Sequence, residues 1–253
     1  LRGGNDRTSY NLAIGYRKQN GLTEKTSNER MTAILSLQTL LTDRLSLNLN
    51  VNAFNNNYDA PNGEPQSIDG IIGYAVREKY PIDENCKPIE KYGSIGVIAG
   101  KKSDGTFGYQ DNYSPEAWLA GESFVHNINR NISASAQLKW NTPVEGLSFS
   151  GKAGVNYWTK YDKAYRAETY FDDSKTVGPS TLNIWSGNNT YTTLEALVNY
   201  ERTFRDIHAL KVLAGTSVEQ SANRELSGYR NTFPNNFLYE LGSGDASTAT
   251  NGS

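Results

Sequence analysis

Apolar and polar residues alternate with a period of two in several segments of this chain, most plainly from Leu45 to Ala53. Leu45, Leu47, Leu49, Val51 and Ala53 fall on one side of an extended backbone, and Ser46, Asn48, Asn50 and Asn52 on the other. Successive strand side chains point to opposite faces, so this is a ribbon greasy on one face and wet on the other. The same reading predicts an earlier strand with Tyr10, Leu12, Ile14 and Tyr16 in line, and another from about 30 to 41 whose alternation breaks at Leu40-Leu41. Further on, it predicts strands through Ile128 to Trp140, Leu147 to Tyr157, Leu194 to Tyr200 and Leu210 to Val218, after which the chain from Gln220 reads as loop.

The connections alternate in length. Thr42-Asp43-Arg44, Thr142-Pro143-Val144-Glu145-Gly146 and Arg205-Asp206-Ile207-His208 read as tight turns. Between them lie longer connections: from about Lys18 to Glu29, from 55 to 125, and from Asp162 to Thr190. Every short connection thus falls at one end of the sheet and every long one at the other, the asymmetry of outer-membrane barrels. Strands of about ten residues suit a tilted crossing of the hydrocarbon layer. The predicted fold is all-β: an antiparallel up-and-down transmembrane β-barrel segment of about seven strands, with long extracellular loops. The rival is a secreted carbohydrate-binding or adhesive β-sandwich, whose strands alternate in the same way.

Composition narrows the choice only in part. The chain has 37% hydrophobic residues, 16 Tyr and 23 Gly, too apolar and aromatic for disorder. Basic and acidic residues, 25 and 27, are scattered, leaving a net charge of −2 and no basic stripe for nucleic acid. A mean hydropathy of −0.62 suggests a water-soluble protein, but barrel strands are only half apolar. Cys86 is the one cysteine, which rules out an intrachain disulfide and a thiolate cluster. The ends read as cuts through a longer chain, so residues 1–253 are expected to form a partial barrel domain with 55–125 as a long extracellular loop.

Catalytic chemistry finds no foothold. His126 and His208 lie far apart, each without a Ser or Cys in a nucleophile setting, and read as surface histidines. Gly100-Lys101-Lys102-Ser103 fails as a phosphate loop because Ile95 stands where the first glycine belongs. No catalytic residue, cofactor or metal ligand set is assigned, although the long loop holds oxygen donors without calcium-site spacing. Stretches 67–80 and 115–122 carry weak helical character. Tyr109, Tyr113 and Trp118 in the long loop and Trp185 in the next are the candidate substrate-binding residues, able to stack on sugar rings or pack against a lid.

The order of these segments resembles the SusC/RagA-type TonB-dependent transporters of the Bacteroidota outer membrane. The resemblance is carried by Gly3-Gly4-Asn5, Thr8-Ser9-Tyr10, Ile14-Gly15-Tyr16 and Gln19-Asn20-Gly21, then Arg30 and Thr42-Asp43-Arg44-Leu45. It continues in Tyr80-Pro81-Ile82, Pro143-Val144-Glu145-Gly146-Leu147 and Asn235-Asn236-Phe237-Leu238-Tyr239. It implies a plugged barrel of about 22 strands. It also implies import of oligosaccharides or peptides across the outer membrane of a Gram-negative cell, with a SusD-like surface lipoprotein as lid. TonB would act through a plug region expected to lie outside this chain.

Overall fold

The computed structural model describes residues 1–62, 98–101, 107–109, 122–172, 175–205 and 207–253. Its strands in chain order are β1 (Arg2–Gly4), β2 (Thr8–Asn20), β3 (Ser27–Thr42), β4 (Leu45–Ala60), β5 (Ile98–Lys101), β6 (Phe107–Tyr109) and β7 (Phe124–Asn141). They continue with β8 (Leu147–Arg166), β9 (Thr169–Asp172), β10 (Lys175–Val177), β11 (Thr181–Phe204), β12 (His208–Asn231) and β13 (Thr250–Gly252). One open antiparallel sheet holds nine of them in the order β1-β2-β3-β4-β7-β8-β11-β12-β13, a meander consistent with a barrel segment. Two small hairpins, β5 with β6 and β9 with β10, stand apart from it.

All seven alternating segments are strands, but they run longer than the expected ten residues: β8 has 20, and β11 and β12 have 24 each. The sequence reading stopped where the apolar face gave way to polar residues, whereas backbone pairing continues beyond that point. The stretch after Gln220, read as loop, is the upper half of β12, paired residue for residue with β11 up to Asn231. Likewise β8 and β11 pair from Arg166 and Thr181 downward, which takes Trp185 out of the expected loop and into β11. The break at Leu40-Leu41 is a β-bulge, where the register shifts between Leu40 and Thr42. A bulge adds one residue to one strand and so upsets the alternation locally.

One end of the sheet, here the lower, carries the connections 43–44, 142–146 and 205–207; the upper carries 21–26, 61–123 and 167–180. The lower turns are built from their own side chains. Thr42 Oγ1 accepts from the amides of Arg44 and Leu45, and Thr142 Oγ1 accepts from that of Val144. Gly146 has φ +84°, and a Cβ there would stand 2.2 Å from the Glu201 carbonyl oxygen, so the turn admits only glycine.

The apolar face of the sheet is bare. Ile14, Leu194, Val212 and Val218 are 76, 61, 49 and 65% exposed, and nothing among the described residues packs over them. A soluble sandwich would cover that face with a second sheet. Burial occurs instead at the upper rim of the same face, where Tyr165, Ala167, Leu182 and Phe233 form the core. There the segment after β12 folds back over the sheet. Asn236 Oδ1 accepts from the Tyr165 hydroxyl and the Glu168 amide, while its Nδ2 donates to the Glu168 carbonyl. Phe124, Phe233 and Tyr239 pack their rings around Tyr165, and Lys163 pairs with Glu240 at 2.7 Å. Farther along, the amide and hydroxyl of Ser247, with Arg230 adding a weaker pull, hold the Asp245 carboxyl below the usual carboxylate range.

The apolar run also drifts along the strands. Tyr10, Leu37, Leu49, Ala136, Ala153, Leu194 and Val218 form one pairing row across the seven long strands. In β2 the run extends upward from that row, Tyr10 to Tyr16; in β4 and β7 it is centred on the row; in β12 it extends downward, Val218 to Leu210. The centre moves by about seven residues, roughly 23 Å at about 3.3 Å per residue, across six strand spacings of about 4.8 Å.

Candidate functional site

The face opposite the apolar run is predominantly polar. Cross-strand rows there read Ser9, Gln38, Asn48, Gln137, Lys152 and Glu195, then Asn11, Ser36, Asn50 and Ser135. The lower part forms an open concavity of about 690 Å³ whose lining includes Arg2, Gln38, Asn48, Asn50 and Gln137. Amides supply both donors and acceptors, so this wall suits a water-filled passage or a polar solute equally well.

Higher on the same face, β8 and β11 build an aromatic patch. Trp158, Lys160 and Asp162 follow one another along β8, opposite Asn189, Gly187 and Trp185 of β11. Gly187 is buried, and a Cβ on it would meet the Trp185 ring at 2.4 Å, so the indole lies across the glycine. That brings the Trp185 ring to 6.4 Å from Trp158 at an interplanar angle of 48°. Lys160 Nζ sits 5.4 Å from the Trp185 ring centre and 2.5 Å from Asp162. On β3 and β4, Arg30 lies 4.4 Å over the Phe54 ring, again on the polar face.

Of the residues singled out in the sequence, Trp185 is therefore a wall residue rather than a loop residue. Tyr109 closes β6, opposite Ile98, while Tyr113 and Trp118 lie outside the described residues, as do the stretches 67–80 and 115–121. The sequence reading missed Trp158, Lys160, Arg30 and Phe54 as a group. Counting the period-two alternation past Tyr157 and Ala53, and back from Met31, places all of them on the wet face. His126 is engaged with Asp59, Nδ1 to Oδ1 2.5 Å, on the outer face. His208 opens β12 at the opposite end. Among the described residues no group of His, Cys, Asp or Glu has the arrangement of a metal site, and no helix is long and apolar enough to cross a membrane.

No protein-family model and no curated protein matches this sequence. Solved structures do. In fold, the chain is similar to RagAB. The RagAB peptide importer in its 'open-open' state aligns with a TM-score of 0.70 over 99% of this chain, at 15% identity. The 'closed-closed' state of the RagAB importer and a further RagAB peptide transporter structure each align at 0.69, with the same identity and coverage. The chain spans 27% of the length of the RagAB chain it matches. These neighbours are transporters rather than enzymes, and they share the up-and-down antiparallel meander with this chain.

Proposed function

We propose that this chain is part of the wall of an outer-membrane, TonB-dependent importer of nutrients, oligosaccharides or peptides, working in a SusCD-like complex. Its apolar face meets lipid, its polar face lines the passage, and a SusD-like surface lipoprotein sits over the upper end. The expected loop 55–125 narrows to the connection 61–123, because β4 runs on to Ala60 and β7 begins at Phe124, and that connection lies on the extracellular side. Selection rests on side-chain recognition and movement of a plug, with no bond chemistry.

The observation that carries this reading is the bare apolar belt and its drift. A belt held level in a bilayer must run obliquely to the pairing rows when the strands are tilted. A slide of about 23 Å across about 29 Å corresponds to a tilt of about 40°, within the 35–45° of outer-membrane barrels. Along β8 the run from Leu147 to Tyr157 is about 33 Å long at about 3.3 Å per residue, or about 25 Å in height at that tilt. That is the height of the outward-facing apolar band of such barrels. Above the belt the outer face turns polar (Asn55, Arg130, Thr159, Asn188), and the next apolar cluster, around Tyr165, is covered by the chain itself. An apolar surface left bare at one height and covered at another marks two different solvents. RagAB's role in peptide import and the fold shared with it support the transport side of the reading.

Site-directed labelling tests it. In a full-length transporter carrying Cys86→Ser, cysteines at Leu194 and Val212 are expected to react with a maleimide dissolved in the bilayer and to resist a water-soluble one. Cysteines at Asn50 and Gln137 are expected to show the reverse. Protection of Leu194→Cys and Val212→Cys from both reagents would point to a covering protein layer and remove the importer reading.

A further inference from the structure

Charge on the polar face is sorted by strand. Arg2, Arg17, Arg30, Lys152, Lys160 and Arg166 stand on the polar side of β1–β8, where Asp162 is the one acidic residue among those described. On β11 and β12 the same face carries Glu195, Glu201, Glu219 and Glu225, with Lys211 bound to Glu201. Within the cationic part, Lys160 is neutralised by Asp162, but Arg17 and Arg30 oppose each other directly across β2 and β3. Directly opposed residues have Cβ atoms about 4.5–5.5 Å apart, and like charges so placed destabilise the pair. Among the described residues neither arginine meets a carboxylate. Arg30 is held in place by its stack on Phe54, which leaves the edge of its planar fork of donors free.

We infer that Arg17 and Arg30 form a carboxylate-binding subsite on the passage wall. The proposal rests on the importer reading and narrows its ligand to one bearing an acidic group. Two guanidinium forks on adjacent strands match the two oxygens of a carboxylate, and the bound anion removes the repulsion that the empty pair endures. Phe54 offers an apolar edge beside it, and Asn56 and Asn129 continue the row toward Lys160 with neutral amides. The carboxylate comes from an acidic peptide side chain or from a uronic acid, and the test separates the two.

The test uses the full-length transporter in detergent micelles, with calorimetric titration at low and at high salt. The probes are an N-acetylated, C-amidated hexapeptide of alanines with one central Asp, its Asn counterpart, trigalacturonate, and its methyl ester. At least one acid is expected to bind about tenfold or more tightly than its neutral counterpart, with the preference shrinking in salt. Arg17→Gln and Arg30→Gln are each expected to abolish that preference while leaving the neutral probe unchanged. The peptide pair and the sugar pair report which source is used. Without ligand, Arg17→Gln is expected to unfold at the same or higher temperature than the parent, because it relieves repulsion; a structural arginine would show the opposite. Acid and neutral forms binding alike in the parent, no acid binding at all, or a preference that survives both substitutions would each overturn the subsite. Uptake by cells is read separately: binding without uptake of any probe fails the importer reading and leaves the subsite standing.

Discussion

At the scale of single residues, Asn236 fastens the segment after β12 to the sheet. It takes a hydroxyl and an amide on its oxygen and gives its nitrogen to a carbonyl, tying the segment after β12 to Tyr165 and Glu168. Its neighbour Asn235 only turns the chain, accepting from the amides of Phe237 and Leu238 at an exposed site. Asn236→Ala is expected to cost about 1–3 kcal/mol, since it strands partners that are partly out of water. Asn235→Ala should cost less. Unfolding in urea and limited proteolysis between 232 and 249 measure both; equal effects would contradict the different roles. The sequence marked Asn235 to Tyr239 by resemblance alone, because what the segment packs against, Tyr165 and Leu182, lies on strands far away in the chain. Local pattern carries no information about such a contact.

At the scale of elements, the strands were legible wherever one face is apolar, because period two is visible only through contrast. It failed where neither face keeps an apolar run, as in β12 above Gln220 and β11 below Leu182 toward Thr190, and where the bulge at Leu40 slipped the phase. Facing remains testable in the middle of a strand. Val198→Arg, on the apolar side of β11 near the middle of its apolar run, is expected to cost about 2–4 kcal/mol in lipid vesicles, as arginine does near the bilayer midplane. Thr193→Arg, on the polar side of the same strand, is expected to stay within about 0.5 kcal/mol. Urea unfolding of the vesicle-inserted protein gives both numbers. Similar costs for the two would mean that neither face meets hydrocarbon.

At the scale of the whole molecule, the sheet is open. β12 pairs with β11 along its full length but with β13 only from Ser227 to Tyr229, which leaves His208 to Leu226 as a long exposed edge. Unpaired backbone groups in hydrocarbon cost several kcal/mol each, so on the importer reading this edge must be paired with further strands. These 253 residues expressed alone are expected to associate edge to edge in detergent, and sedimentation should show no discrete monomer. A folded, monodisperse monomer would mean the edge is closed in some other way. The oblique belt has one more consequence. A strand that slips by two residues against its neighbour keeps every side chain on its proper face, so facing alone cannot detect the error. Such a slip would nevertheless lift that strand's greasy run about 5 Å out of line with those beside it, at about 2.5 Å of height per tilted residue. On the importer reading, the bilayer would then act as a ruler that proofreads strand alignment during assembly.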